Sequence, residues 1–385
     1  MEVEIERILP GGMGLAHAGG KTVFVSLAAP GDRLRVRVDR EQGNVLFASI
    51  EEIIVPSPAR IEPPCPYFGR CGGCDFQQLT YEAQLTAKVE IIRDCLHRIA
   101  RIENLPDIVV TPSPDQWRYR MRATWQIDQE RREIGYYERG SRRVCDVADC
   151  AVLRPELEIK LEEVRATEWH QFPKGLQHLD VVAGENGVSF SPAFAAFQTS
   201  EVSLTIGGEV YQYNAEAFFQ INPSLLAPLI EFALEDVAGE RALDLYSGAG
   251  LFTLPLARHF QSVLAVEANP AAARFARRNL QQAGLSNVRV ITATVSDWFR
   301  SDSAAPVDFI LLDPPRAGAE SAVIKGIVEL EPAQISYVSC DPATLARDMR
   351  KLISGGYNVQ SLRGFDLFPQ THHVETVVRL QRESV

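Results

Sequence analysis

Arg241-Ala242-Leu243-Asp244-Leu245-Tyr246-Ser247-Gly248-Ala249-Gly250-Leu251-Phe252 reads as a strand, a glycine loop and the start of a helix. Ala242, Leu243 and Leu245 make a short apolar run of the buried kind. Gly248 and Gly250 let the backbone come close to a ligand. The loop lacks the last glycine of the G-x-G-x-x-G dinucleotide pattern. The residues after it supply the rest of the signal. Ser262-Val263-Leu264-Ala265-Val266 is a second strand that ends in Glu267, an acid placed to accept hydrogen bonds from ribose hydroxyls. From about Gln212 onward strands and helices alternate. That pattern predicts a parallel, doubly wound sheet with a nucleotide-like ligand at its switch point.

Two further strand ends carry chemistry. Phe309 to Leu312 runs into Asp313-Pro314-Pro315-Arg316, a rigid turn that would floor a substrate pocket. Ile335 to Val338 runs into Ser339-Cys340-Asp341-Pro342, where Asp341 and Pro342 stop the strand and open a helix over Ala343 to Leu352. Ligands of open parallel sheets bind outside the carboxyl ends of the strands. Cys340 therefore sits where a thiolate nucleophile would work. The plainer alternative is a small buried hydrophobe.

The 385 residues suffice for two or three domains, and 46% apolar with 23% charged content is ordinary for a globular chain. No apolar run is long enough to span a bilayer, and the acidic start Met1-Glu2-Val3-Glu4 is unlike a secretory signal. A cytoplasmic protein with no membrane partner is expected, and a monomer. The net charge of −11 argues against a broad nucleic-acid surface. Locally the balance changes. Arg118, Arg120, Arg122, Arg131, Arg132, Arg139, Arg142 and Arg143 alternate with Trp117, Tyr119, Trp125, Tyr136 and Tyr137. Arginines track phosphates and aromatics stack bases, although a solvated β-surface paired with Asp128, Glu130, Glu133 and Glu138 would look the same.

Residues 1 to about 55 alternate apolar and polar in four or five short strands broken by glycines, which predicts a small OB-type barrel. Its Gly11-Gly12-Met13-Gly14 turn and strand spacing resemble a TRAM domain. A proline-rich connector leads to Cys65-Pro66-Tyr67-Phe68-Gly69-Arg70-Cys71-Gly72-Gly73-Cys74. Three close cysteines and a distant fourth follow the logic of iron–sulfur ligation. Cys145 and Cys150 are the candidates for the fourth. Structural zinc, the rival, usually shows two Cys-x-x-Cys knuckles, and there is one here. Tyr81 to Ile99 has helical apolar spacing in Leu85, Val89, Ile92 and Leu96. Residues 106 to 215 read as β-rich, with strands at Tyr119 to Ile127, Glu133 to Tyr137, Leu179 to Ala183, Val188 to Phe190 and Val202 to Thr205, and a helix near Pro155 to Glu168.

Taken in order, Cys65, Cys71, Cys74, the glycine loop, Asp313-Pro314-Pro315-Arg316, Ser339-Cys340-Asp341-Pro342 and Phe368-Pro369-Gln370-Thr371-His372-His373-Val374-Glu375 resemble the RNA uracil carbon-5 methyltransferases. The similarity is to the branch with a TRAM barrel and a 4Fe-4S cluster, and it covers essentially the whole chain. It implies an α/β fold: a C-terminal Rossmann-like class I methyltransferase domain (216–385), an N-terminal OB-type β-barrel (1–55) and a central α+β iron–sulfur domain (56–76 and 106–215). The helix within 77–105 would pack on the catalytic domain. It implies S-adenosylmethionine as cofactor, contacted by Gln220, Tyr246, Gly248, Gly250, Glu267, Thr294 and Asp313. Cluster ligands would be Cys65, Cys71, Cys74 and Cys150, the last chosen because Asp146-Val147-Ala148-Asp149-Cys150-Ala151-Val152-Leu153 matches the family's stretch. Cys340 would be the nucleophile and Glu375 the general base, acting on an RNA substrate, ribosomal RNA ahead of the T-loop of transfer RNA. Arg316 stands where nitrogen methyltransferases carry an aromatic, which disfavours amine methylation. The other readings are an inactive iron–sulfur RNA-binding protein and a small-molecule methyltransferase. Tyr119, Trp125 and the nearby arginines are expected as stacking and phosphate contacts.

Overall fold

The computed structural model describes residues 1–301 and 306–383. Eight strands form the sheet on which everything else is mounted. Their spatial order is Val288–Thr292, Phe260–Glu267, Gly239–Leu245, Phe309–Leu312, Gln334–Ser339, Glu375–Arg382, Tyr357–Phe365 and Val110–Thr111. The first five run parallel, and Glu375–Arg382 runs antiparallel to both its neighbours. All four residues of Phe309–Leu312 are buried, as expected for a strand covered on both faces. The direction of winding reverses between Gly239–Leu245 and Phe309–Leu312. The crevice at that switch point opens at the carboxyl ends of the two strands.

Helix Tyr81–Cys95 continues as a π-helical turn, Leu96–Ala100, that stops at Arg101 with φ 60°. Ile92, Cys95 and Leu96 pack with Leu345, Met349 and Leu352 of helix Pro342–Ser354 in one apolar cluster. Cys95 is thus a core side chain. Lys88 on the same helix is fully buried and pairs with the equally buried Asp366.

The N-terminal sheet has six strands where four or five are expected. The first splits because Ile5 leaves the ladder: its N–H donates to Asp32 O at 2.9 Å, and Gly31 N–H donates to its carbonyl at 2.7 Å. Val3, Ile5, Ala16, Val23, Val25, Leu34, Val36, Leu46 and Ala48 fill the interior.

The central sheet has five strands, ordered Val144–Asp146, Glu133–Tyr137, Arg122–Asp128, His178–Gly184 and Gly187–Ser191. Helix Pro155–Ala166 covers it with Leu157, Leu161 and Val164. The expected strand from Tyr119 begins only at Arg122. Arg118 sits at φ +55°, and the amides of Arg118, Arg120 and Met121 donate instead to Ala151, Val152 and Ile221 carbonyls. The expectation that Tyr119 and Trp125 stack on RNA is overturned. Both are buried, Tyr119 with its hydroxyl on Pro369 O at 2.9 Å. The Arg122 guanidinium is spent on the carbonyls of Ala217 and Ala215.

Candidate active site

Cys340 follows directly on the end of Gln334–Ser339. The Asp341 carboxylate caps the next helix, accepting from Ala343 N and Thr344 N at 2.9 Å each, so the turn holding the thiol is fixed from its own side. Ser339 lies opposite Thr376 at the end of the antiparallel register, so Cys340 leaves its strand beside the end where Glu375 begins the next. Glu375 is 2% exposed. Burial and then the Asp313 carboxylate push its pKa far above the usual carboxylate range, while the Arg316 guanidinium pulls the other way. The Cys340 thiol is pushed up to about 12, by burial first and then by Glu375, with Arg316 again opposing. Cys340, Glu375, Asp313 and Arg316 therefore share one water-poor site at the carboxyl ends of the strands.

The glycine loop lies beside it. Tyr246 is at φ +65°, Gly248 at +55° and Gly250 at +95°. A Cβ on Gly248 would meet nothing within 4 Å, whereas one on Gly250 would lie 3.1 Å from Leu254 Cδ1. The first glycine thus faces open space and the second a packed helix. Glu267 accepts from Gly248 N at 2.8 Å and from Asn269 N, which tilts its carboxylate across the loop. Gln220 Nε2 donates to Asp313 Oδ2 at 3.3 Å, which joins two of the expected cofactor residues. Thr294 follows the strand paired with Glu267, and its hydroxyl is held by Asp297, donating at 2.7 Å to Oδ2 and accepting from the amide at 3.0 Å.

Asp244 and Asp313 are each pushed up to about 7 by burial, Asp313 also by Asp244. Asp244 Oδ1 and Ser247 Oγ are buried without a hydrogen-bond partner among the described residues. Two buried carboxyls and unpartnered polar atoms fit a positively charged, hydrogen-bonding ligand, which would favour their ionised forms.

Cys65, Cys71, Cys74 and Cys150 line a single small cavity of about 30 Å³ with Arg120, Tyr136, Phe68 and Val147. Gly72 makes the curl possible: a Cβ there would meet Tyr137 O at 3.0 Å, the same carbonyl that accepts its N–H. Burial pushes Cys71 up to about 11 and Cys74 up to about 12, so the free thiols are protonated. Cys145 is buried near Cys71 but outside the cavity lining, and accepts from Arg70 Nε at 3.1 Å. Among the described residues no three His, Cys, Asp or Glu side chains are grouped closely enough to hold one metal ion.

Sequence reasoning missed the frame around Glu375. Lys88 Nζ donates to Asp366 and to Phe368 O at 3.0 Å, Tyr81 OH donates to Asp366 Oδ2 at 2.9 Å, and the Gln84 side chain bonds Gln370 from both sides. His373, two residues before Glu375, is pushed down to about 3, chiefly by burial, and is neutral.

Residues 197–383 match the family model described as tRNA (Uracil-5-)-methyltransferase, and residues 1–50 match the TRAM domain. A 23S rRNA (uracil(1939)-C(5))-methyltransferase of Pectobacterium atrosepticum is 33% identical, over 98% of this chain and 92% of its own. An uncharacterized RNA methyltransferase of Aquifex aeolicus is 29% identical, over 99% and 98%. The crystal structure of the Pyrococcus abyssi tRNA (uracil-54, C5)-methyltransferase with S-adenosyl-L-homocysteine superposes with a TM-score of 0.76 at 24% identity, covering 99% of this chain and all of that one, a likeness of fold. With a relative a third identical along nearly its whole length, the chain belongs to the S-adenosylmethionine-dependent RNA uracil carbon-5 methyltransferases that carry a TRAM domain.

Proposed function

We propose that this enzyme methylates carbon 5 of a uridine in ribosomal RNA through a transient bond between Cys340 and the base. The observation that supports it most is the strand pairing that brings Cys340 and Glu375 to adjacent strand ends, with Arg316 acting on both. Carbon 5 of uracil is a poor nucleophile until something adds to carbon 6. A soft thiolate suits that step and later departs readily. Cys340 adds to carbon 6, and the ring gains enolate character at carbon 5, which takes the methyl group. Bound S-adenosylmethionine supplies that methyl as an electrophile together with a positive charge. Glu375 then removes the proton left on carbon 5, and the electron pair expels Cys340. Arg316 lowers the cost of the thiolate by standing beside it.

Gln220, Tyr246, Gly248, Gly250, Glu267, Thr294 and Asp313 are the residues we assign to the cofactor. Each oxygen of Glu267 already takes one backbone N–H and keeps a lone pair for a ribose hydroxyl. The domain division at 55, 76, 105 and 215 belongs to the same reading, with Val110–Thr111 lending an edge to the catalytic sheet.

Cys65, Cys71, Cys74 and Cys150 would hold a 4Fe-4S cluster. A structural zinc site usually shows two Cys-x-x-Cys knuckles, and this chain has one such pair. A cluster takes more widely spaced thiolates, and the half-buried Arg120 on the cavity wall would offset its negative charge. Protein purified without oxygen is expected to be brown with about four irons per chain. One zinc and no iron would overturn the assignment.

Ribosomal RNA is preferred to transfer RNA because relatives that match end to end at 33% identity are 23S rRNA enzymes. Mapping 5-methyluridine in cells with and without the gene tests this. Loss of one ribosomal 5-methyluridine is expected, and loss confined to transfer RNA would move the substrate.

A further inference from the structure

The chain between strands Tyr357–Phe365 and Glu375–Arg382 is fastened at two places. Its first half is tied to helix Tyr81–Cys95 through Lys88, Tyr81 and Gln84. Its second half, next to Glu375, is tied to the segment that follows Cys74. Asp75 N and Phe76 N donate to Gln370 O at 3.1 and 3.0 Å. His372 N donates to Asp75 Oδ1 at 2.8 Å, and the His372 ring meets Asp75 Oδ2. Gln370 itself sits at φ +69°, a conformation that a side-chain-bearing residue keeps only when neighbours enforce it. The His372 ring lies 4.1 Å from that of His373, which meets the edge of Phe368. From the barrel, Gly12 covers the pair: a Cβ there would lie 3.1 Å from Asp75 Oδ2 and from His372 Nδ1. Barrel, cysteine segment and base-bearing loop thus meet at one carboxylate.

Cys340 is held from the other side, by its own strand and by the Asp341 cap. Their two strands are hydrogen-bonded to each other, but the Asp341 cap serves only the Cys340 turn and the Asp75–His372 contact only the loop before Glu375. We propose that Asp75 is a positioning residue for removal of the carbon-5 proton: through His372 it fixes the loop that sets Glu375, and it contributes little to the addition of Cys340. This rests on Glu375 being the base. Misplacing a catalytic group by about an ångström costs up to roughly a hundredfold, and here the loss falls on one step.

The test is single-turnover methylation of substrate RNA by the full-length protein, with denaturing gels to detect covalently linked RNA. With Asp75→Ala, methyl transfer is expected to stay near wild type while release slows roughly tenfold to a hundredfold, so a linked band accumulates. Asp75→Asn keeps an acceptor for the His372 amide and should give a fainter band, and it decides the matter if the alanine variant does not fold. Iron content should match wild type in both. Wild-type release, or methyl transfer and release falling together, or loss of iron, would overturn the proposal. Glu375→Gln separates the two readings. A linked band there without one in Asp75→Ala rejects only the role of Asp75, whereas no band in Glu375→Gln rejects the base and this proposal with it.

Discussion

Cys340→Ala is expected to abolish methyl transfer, by on the order of 10⁴-fold or more, the scale seen when a covalent nucleophile is removed. The fold should survive, because Cys340 lies past the end of its strand in a turn held by Asp341 rather than in the core. Cofactor binding should survive as well, since Asp244, Gln220, Asp313 and the glycine loop keep their contacts. Calorimetric titration with the cofactor and a methylation assay check the two halves, and turnover in the variant would remove the covalent step. The wild type carries a pH signature. With its thiol pushed up to about 12, Cys340 is protonated at neutral pH in the free protein. Cys340 must lose that proton before it can add to the base. The rate of adduct formation should therefore climb with pH through the neutral and mildly alkaline range, and a flat profile would show that the thiolate is formed by other means.

The second large effect belongs to Glu375→Gln. The amide keeps the shape of the side chain and cannot take a proton. Addition and methylation should proceed, and release should slow by roughly 10²–10⁴-fold, the usual contribution of a general base. Methylated RNA should stay attached to the protein through denaturation. Digestion of that adduct should give a base linked to the peptide containing Cys340. Absence of any linked RNA would mean that the proton leaves by another route.

Much of this was legible along the chain because strand ends announce themselves. Apolar runs stop at Glu267, Asp313 and Cys340, and the parallel sheet gathers those ends into one crevice. Burial was less legible. In the stretch from Arg118 to Arg143, charge and aromaticity suggested an exposed surface, yet Arg120 lines the cysteine cavity and Trp125 has no exposure at all. Alternation says that faces differ, not which face meets water. Thr294 shows a different limit: its hydroxyl is engaged within its own turn by Asp297, three residues on. Partnerships across long separations left no trace in the sequence. Lys88 and Asp366 are 278 residues apart, and each alone reads as an ordinary surface charge. Asp75 and His372 are separated by 297.

The two-residue strand Val110–Thr111 has an implication for what the catalytic half would lack on its own. It pairs with Gly364 and Phe365 at the end of Tyr357–Phe365, so the catalytic sheet takes its last pairing from the amino-terminal half. A fragment beginning near residue 216 would present an unprotected flank of amides and carbonyls, the kind that recruits neighbouring chains, and would strand the Asp366 carboxylate without its ammonium. The amino-terminal modules are therefore not accessories appended to a self-sufficient transferase.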